Sequence, residues 1–235
     1  MNKDYTNLKE FWNNAYSLDD KEKEEFLKEL TDDSWHDLVP SEKQIDALKT
    51  ITCCEKILDY GCGNGWASIA LAKLGAKNIL AVDVSENPVI QTKVLSNAFK
   101  LDGAITPKCV SDTWLDDVAD SSFDAVFTSN VLDVIPFDIS DNIIKELSRI
   151  LKKEGKLIVS LNYYIKPVEN KERMMTVKDD KYLYINGILR LASRTDDEWI
   201  EVFKKYFNLE KLEYFAWPGE NNETRRLFFL SKKNE

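Results

Sequence analysis

Histidine is almost missing from this chain: His36 is the only one in 235 residues. Cysteine is sparse as well, at positions 53, 54, 62 and 109, and no two of them have C-x-x-C spacing. Together these shortages argue against a Cys/His zinc site. They fit free thiols in a reducing compartment. Basic charge is also short: 32 Lys and Arg stand against 41 Asp and Glu, a net charge of −9. A nucleic-acid partner wants clustered cations, so none is expected. No run approaches the roughly 18 apolar residues a membrane span needs. The opening MNKDYTNLKEFW has no apolar h-region. The expectation is a cytoplasmic protein with no membrane association and no metal.

What is present is a globular composition, 43% hydrophobic and 31% charged, which excludes a disordered chain. The length suits one large domain, or one with appendages. Residues 1–52 read as polar helices forming an N-terminal cover. Ser17 is expected to cap a charged helix near 18–30, and Ser41 with Gln44 has a capping-box pattern. Trp12 and Trp35 read as packing residues.

From residue 53 the pattern changes. KILDY (56–60), NILAVD (78–83), AITPKCV (104–110), FDAVFTSN (123–130) and KLIVSLNYY (156–164) read as buried strands. Helices fall between them. One is closed by Gly75, one is capped by Ser85, and one is preceded by Ser140 and terminated by Gly155. Such alternation predicts a doubly wound, mostly parallel α/β sheet, covered on both faces. KYLYINGILRLAS (181–193) is a hairpin signal around Asn186-Gly187. Thr195 and Glu198 form a second capping box, and LEKLEYFAW and RRLFFLSKK read as a final strand pair.

Glycine is scarce, 8 in all, yet three lie at 61, 63 and 65. They follow the first strand in Asp59-Tyr60-Gly61-Cys62-Gly63-Asn64-Gly65. Ligands of open α/β sheets bind at such strand ends. A second acidic residue, Asp83, ends the next strand, where a carboxylate can accept both hydroxyls of a ribose. The dinucleotide pattern G-x-G-x-x-G would require glycine at position 66, which is Trp66. That disfavours an NAD-dependent oxidoreductase. No Gly-Lys-Ser/Thr follows the loop, so a phosphate-binding Walker loop is excluded. A carboxylate beside the first glycine suits an ammonium-bearing ligand better than a pyrophosphate.

With ILDYGCGNG, AVDVS (81–85), the 111–136 region and ELSRILKKEGKLIVSL (146–161), the sequence resembles the class I S-adenosylmethionine-dependent methyltransferases. The resemblance spans about residues 45–165. It implies a Rossmann-like sheet of seven strands with the last antiparallel, the N-terminal helical extension, and the hairpin as an insertion. It implies S-adenosyl-L-methionine as cofactor. Asp59, Tyr60, Gly61, Cys62 and Gly63 would lie at its methionine end. Asp83 would bind the ribose and Val84 would pack on adenine. Asp112, with Ser111 or Thr113, would bond the adenine amino group, and Asn130 would lie near the reacting methyl. The motifs say little about substrate, and the leading expectation is methyl transfer to a small molecule. Alternatives are a non-catalytic cofactor-binding scaffold and a protein or RNA methyltransferase. Ser129-Asn130-Val131-Leu132 lacks the Asn/Asp-Pro-Pro-Tyr pattern of enzymes acting on nucleic-acid base amines.

Two residues are candidates for catalysis. His36 is either a general base above the cofactor or a surface or packing residue. Asp133 either faces substrate or caps a helix. The segment at about 164–195, with Tyr163 and Tyr164 at its entrance, is expected to form a substrate lid. The other readings are a dimer contact, which would make the chain a homodimer, and a simple core extension with exposed charges.

Overall fold

Four helices precede the first strand in the computed structural model, which describes residues 3–17 and 19–233. They are α1 (Lys3–Ala15), α2 (Asp20–Glu29), α3 (Trp35–Leu38) and α4 (Glu42–Lys49). Asp19, not Ser17, caps α2, in a full capping box with Glu22. A carboxylate at that position accepts the Glu22 N–H, which Ser17 is two residues too early to reach. Ser41 caps α4 through the Lys43 N–H, at 3.2 Å. Gln44 does not complete a box there. Its amide is buried and donates to the Ser160 hydroxyl at 3.1 Å.

The chain then alternates: β1 (Ile57–Tyr60), α5 (Trp66–Lys73), β2 (Ile79–Asp83), α6 (Glu86–Ala98), β3 (Ile105–Cys109), β4 (Phe123–Ser129), α7 (Phe137–Ile150) and β5 (Leu151–Leu161). After an insertion come α8 (Asp196–Phe203), β9 (Phe207–Phe215) and β10 (Arg225–Lys232). The main sheet has seven strands in the order β3-β2-β1-β4-β5-β10-β9. β1 to β5 are parallel, and β10 runs antiparallel between β5 and β9. The expected fold class is the one observed.

Alternation along the strands divides the interior in two. Leu58, Val126 and Val159 join one cluster with Ile144 and Leu147 of α7 and Trp199 and Phe203 of α8. Ile57, Phe127 and Ile158 join the other with Leu48 of α4 and Ile69 of α5. Both faces of the sheet are thus covered, so the strands need no polar face. β1 is bordered by β2 on one side and β4 on the other. The chain reverses its winding there, which opens a crevice at the carboxyl ends of these strands.

Two helix boundaries differ from expectation. α7 begins at Phe137 after Pro136, and Ser140 lies inside it, its hydroxyl donating to the Phe137 carbonyl. Gly155 does not terminate α7. The helix ends at Ile150 and the chain enters β5 directly, with a register shift that throws residues 152–155 out of the ladder. Gly155 sits in that bulge, where a Cβ would approach the Lys152 carbonyl to 2.8 Å.

The insertion carries a small antiparallel sheet. β7 (Tyr182–Ile185) and β8 (Ile188–Ala192) form the expected hairpin, with Asn186 and Gly187 both at positive φ. A third strand, β6 (Met175–Lys178), was not foreseen. The sheet packs on α1, and Arg190 of β8 lies 4.2 Å above the Phe11 ring.

Thr195 and Glu198 complete the reciprocal box at the start of α8. Thr195→Ala should lower the unfolding free energy in urea by about 1 kcal/mol. The Ser85 side chain makes no capping bond to α6, and its hydroxyl makes only a long 3.5 Å bond to the Lys9 carbonyl, so Ser85→Ala should cost less than Thr195→Ala. Equal losses would contradict this reading of the caps.

Candidate functional site

β1 runs directly into the glycine loop. The N–H groups of Gly61 and Cys62 both donate to the Val82 carbonyl at 2.9 Å, which folds the loop across the end of β2. Gly61 and Gly63 have φ of 75° and 55°, the left-handed region that favours glycine. Space demands glycine there too. A Cβ on Gly61 would lie 2.2 Å from Val131 Cγ2, and one on Gly63 would lie 2.8 Å from the Tyr16 hydroxyl. Cys62 is buried, with its sulfur 3.5 Å from Thr92 Oγ1. Burial pushes its thiol well up, which suits a packing role in the loop.

The loop borders a cavity of about 400 Å³, within the range of small-molecule and cofactor sites. Of the expected site residues, Tyr60, Gly61, Cys62, Gly63, Asp83, Val84 and Asn130 line it. Asp83 ends β2. Its carboxylate accepts the N–H of Ser85 at 2.9 Å and of Gly63 at 3.3 Å. Burial raises its pKa, opposed by these backbone bonds and by the charge of Lys9. Two N–H bonds leave lone pairs on both oxygens. Burial also pushes the Tyr60 hydroxyl far up, so it stays protonated. Asn130 follows β4 with a φ of 55°.

Other expected residues lie off the cavity wall. Asp59 is 2% exposed and sits beneath the loop, where the Ser68 hydroxyl donates to it at 2.6 Å. This bond ties α5 to β1. Burial pushes the Asp59 carboxyl up to about 7, with the Ser68 hydrogen bonds opposing. Asp112 is paired with Lys9 at 2.9 Å. Ser111 and Thr113 are exposed beside it. His36, on α3, stacks on Trp35 with ring centroids 3.7 Å apart, and it does not line the cavity. Asp133 is fully buried and accepts both the backbone N–H and the side-chain amide of Asn162, at 2.7 and 3.0 Å. It too lies away from the cavity wall.

Helix α1 forms the roof. Tyr5, Leu8, Lys9 and Trp12 line the cavity, as does Tyr16 just beyond the helix. Asn13 holds α1 to the start of α6 through two hydrogen bonds with Asn87, at 3.0 and 2.8 Å. The sequence reading missed these residues, apart from giving Trp12 a packing role. Their spacing, 5, 8, 12 and 16, is a helical stripe that could have shown them. Trp66 and Trp217 also line the cavity. No residue of 164–195 does so, and the insertion instead braces α1 from outside.

Residues 58–159 match the family model described as a methyltransferase domain. Over that stretch the chain is similar to a methyltransferase domain. The chain is 31% identical over 153 residues to the ribosomal protein L11 methyltransferase of Ruminiclostridium cellulolyticum, covering 63% of this chain and 43% of that protein. It is 32% identical over 113 residues to the ubiquinone biosynthesis O-methyltransferase of Idiomarina loihiensis, covering 48% and 44%. It therefore spans less than half the length of these two curated relatives. The domain's fold is shared with a Burkholderia thailandensis 1,6-didemethyltoxoflavin-N1-methyltransferase solved with S-adenosylhomocysteine. That match has a TM-score of 0.61 and 16% identity, and covers 91% of this chain and 87% of that one.

The Asp59 carboxyl generates a pH prediction. Its folded pKa lies above the unfolded value of 3.8, so the folded state holds the extra proton between the two. Stability is therefore lost as pH rises from about 4 towards about 7. Asp59→Asn should remove part of that loss, read as a smaller difference between urea unfolding at pH 5 and at pH 8. An unchanged difference would show that Asp59 ionises freely in the fold.

Proposed function

We infer that the chain is an S-adenosylmethionine-dependent methyltransferase acting on a small-molecule acceptor. The observation that carries this reading is the roofed cavity at the carboxyl ends of β1, β2 and β4. Its residues fit the cofactor. The glycine loop exposes backbone where no Cβ would fit, and Asp83 offers acceptors suited to a vicinal diol. Aromatic walls, including Tyr5, Trp12 and Tyr16, suit a cation.

In this reading Asp83 holds the ribose hydroxyls and Val84 packs on the base. Asp112, anchored by Lys9, stands at the adenine end, and Asn130 stands at the reacting end. Asp59 acts through the loop it supports. When bound, S-adenosylmethionine supplies a methyl group on a sulfonium centre. The chain aligns the acceptor with it and excludes water. Lys9 and Asp83 are the charged residues among those lining the cavity. Neither is a free base, so the acceptor must be nucleophilic without one. A cavity roofed by α1 favours a small molecule over a protein side chain. The helices of residues 1–52 then serve as the cover, and the insertion steadies it.

A thermal-shift series with S-adenosylmethionine, S-adenosylhomocysteine and NADH tests the reading. At 100 times Kd, a true ligand should stabilise by about 2.7 kcal/mol. A response to NADH alone would overturn the cofactor assignment. Asp83→Ala should weaken S-adenosylhomocysteine by tenfold or more, the worth of charge-assisted bonds to two hydroxyls. An unaltered affinity in a folded variant would remove Asp83 from the site.

A further inference from the structure

At the reacting end, Asn130 can present either its amide oxygen or its NH2 group to the cavity, and the two choices select opposite partners. Its neighbours decide between them. Asn162 donates through Nδ2 to the Asp133 carboxylate at 3.0 Å, and its Oδ1 accepts from Arg225 Nη1 at 2.6 Å. Turned over, Asn162 would set its NH2 against a guanidinium and its oxygen against a carboxylate. It is therefore held in one orientation. Its Oδ1 lies 3.0 Å from the Asn130 amide, which must donate with Nδ2. Asn130 Oδ1 is left on the side of Ser129, whose hydroxyl donates to it at 3.2 Å and which also lines the cavity. One lone pair of Oδ1 remains for a ligand.

The same guanidinium fixes the wall beside it. Arg225 lies 3.4 Å from the centroid of the Trp217 ring, and Glu220 holds it through paired hydrogen bonds. Trp217 lines the cavity, as does Trp66. An acceptor oxygen in a cavity that Trp66 and Trp217 also line, where Lys9 is paired with Asp112 and Asp83 is given to the ribose, describes a site for a planar, neutral molecule that donates a hydrogen bond. An amine can donate an N–H and keep its lone pair available, whereas a hydroxyl would need a base that the wall does not offer.

We propose that Asn130, held by Asn162, Asp133 and Arg225, is the specificity-determining residue of the acceptor end and selects neutral aromatic amines. The proposal rests on the methyltransferase reading for its biological sense, but its test does not need turnover. Two probes of like shape, 1-aminonaphthalene and 1-methylnaphthalene, are titrated by calorimetry with and without S-adenosylhomocysteine. Asn130→Gly keeps the left-handed backbone and removes the amide. The ratio of amine to methyl affinity should fall about fivefold or more in this variant, the net worth of one hydrogen bond. Asn162→Leu leaves Asn130 in place but free to turn over. It should lower the same ratio with little effect on 1-methylnaphthalene, whereas a merely structural loss would weaken both probes alike. A ratio unchanged in Asn130→Gly, equal weakening of both probes in Asn162→Leu, or no binding of either probe to the parent protein would overturn the proposal. Failure of S-adenosylhomocysteine alone would strike the cofactor reading, while the probe ratio in the protein by itself still decides the role of Asn130.

Discussion

The site depends on a half-buried carboxylate. Asp83 ends β2 beneath a roof, and two backbone N–H groups, from Gly63 and Ser85, compensate its burial. One of those donors belongs to the loop after β1, so the same bond that satisfies the anion also shapes the loop. The Val82 carbonyl, one residue earlier, receives the N–H groups of Gly61 and Cys62. The end of β2 therefore organises the end of β1. The reversal of winding around β1 leaves room above both strands.

Around that centre, charge is used sparingly. Lys9 reaches from the roof to Asp112, joining α1 to the segment after β3. Asp59 lies too deep to meet a ligand, and its place is to bind α5 under the loop. Asp133 acts on Asn162, and through it on Asn130. Anions thus set the orientation of neutral polar groups, while the cavity wall stays largely apolar and aromatic. Such a wall suits a reaction in which a cation becomes a neutral thioether and no oxyanion develops.

Much of this was legible in the sequence. Glycines at 61, 63 and 65 in a glycine-poor chain marked the loop, and acidic residues at 59 and 83 marked the strand ends. The strands themselves were short apolar runs between capped helices. Where local signals competed, reading failed. Ser140 looked like a cap but is the fourth residue of a helix that begins after Pro136. Gly155 looked like a helix stop but relieves a bulge that lets α7 pass straight into β5. The roof carried a stripe at 5, 8, 12 and 16, obscured by the polar residues between. β6, with the polar alternation of MTVK, is defined by its partner β7 more than by its own residues. The lock on Asn130 was beyond reach, since Asn162 and Arg225 lie 32 and 95 positions away in sequence and meet only in the sheet.

The central claim is that the Asp83 carboxylate receives the ribose of an adenosyl ligand under α1. A crystal structure of the complex with S-adenosylhomocysteine measures this directly. The account predicts both ribose hydroxyls within hydrogen-bonding distance of the two Asp83 oxygens, with the homocysteine chain along Gly61–Gly63. A ligand bound elsewhere, or a ribose turned away from Asp83, would contradict it.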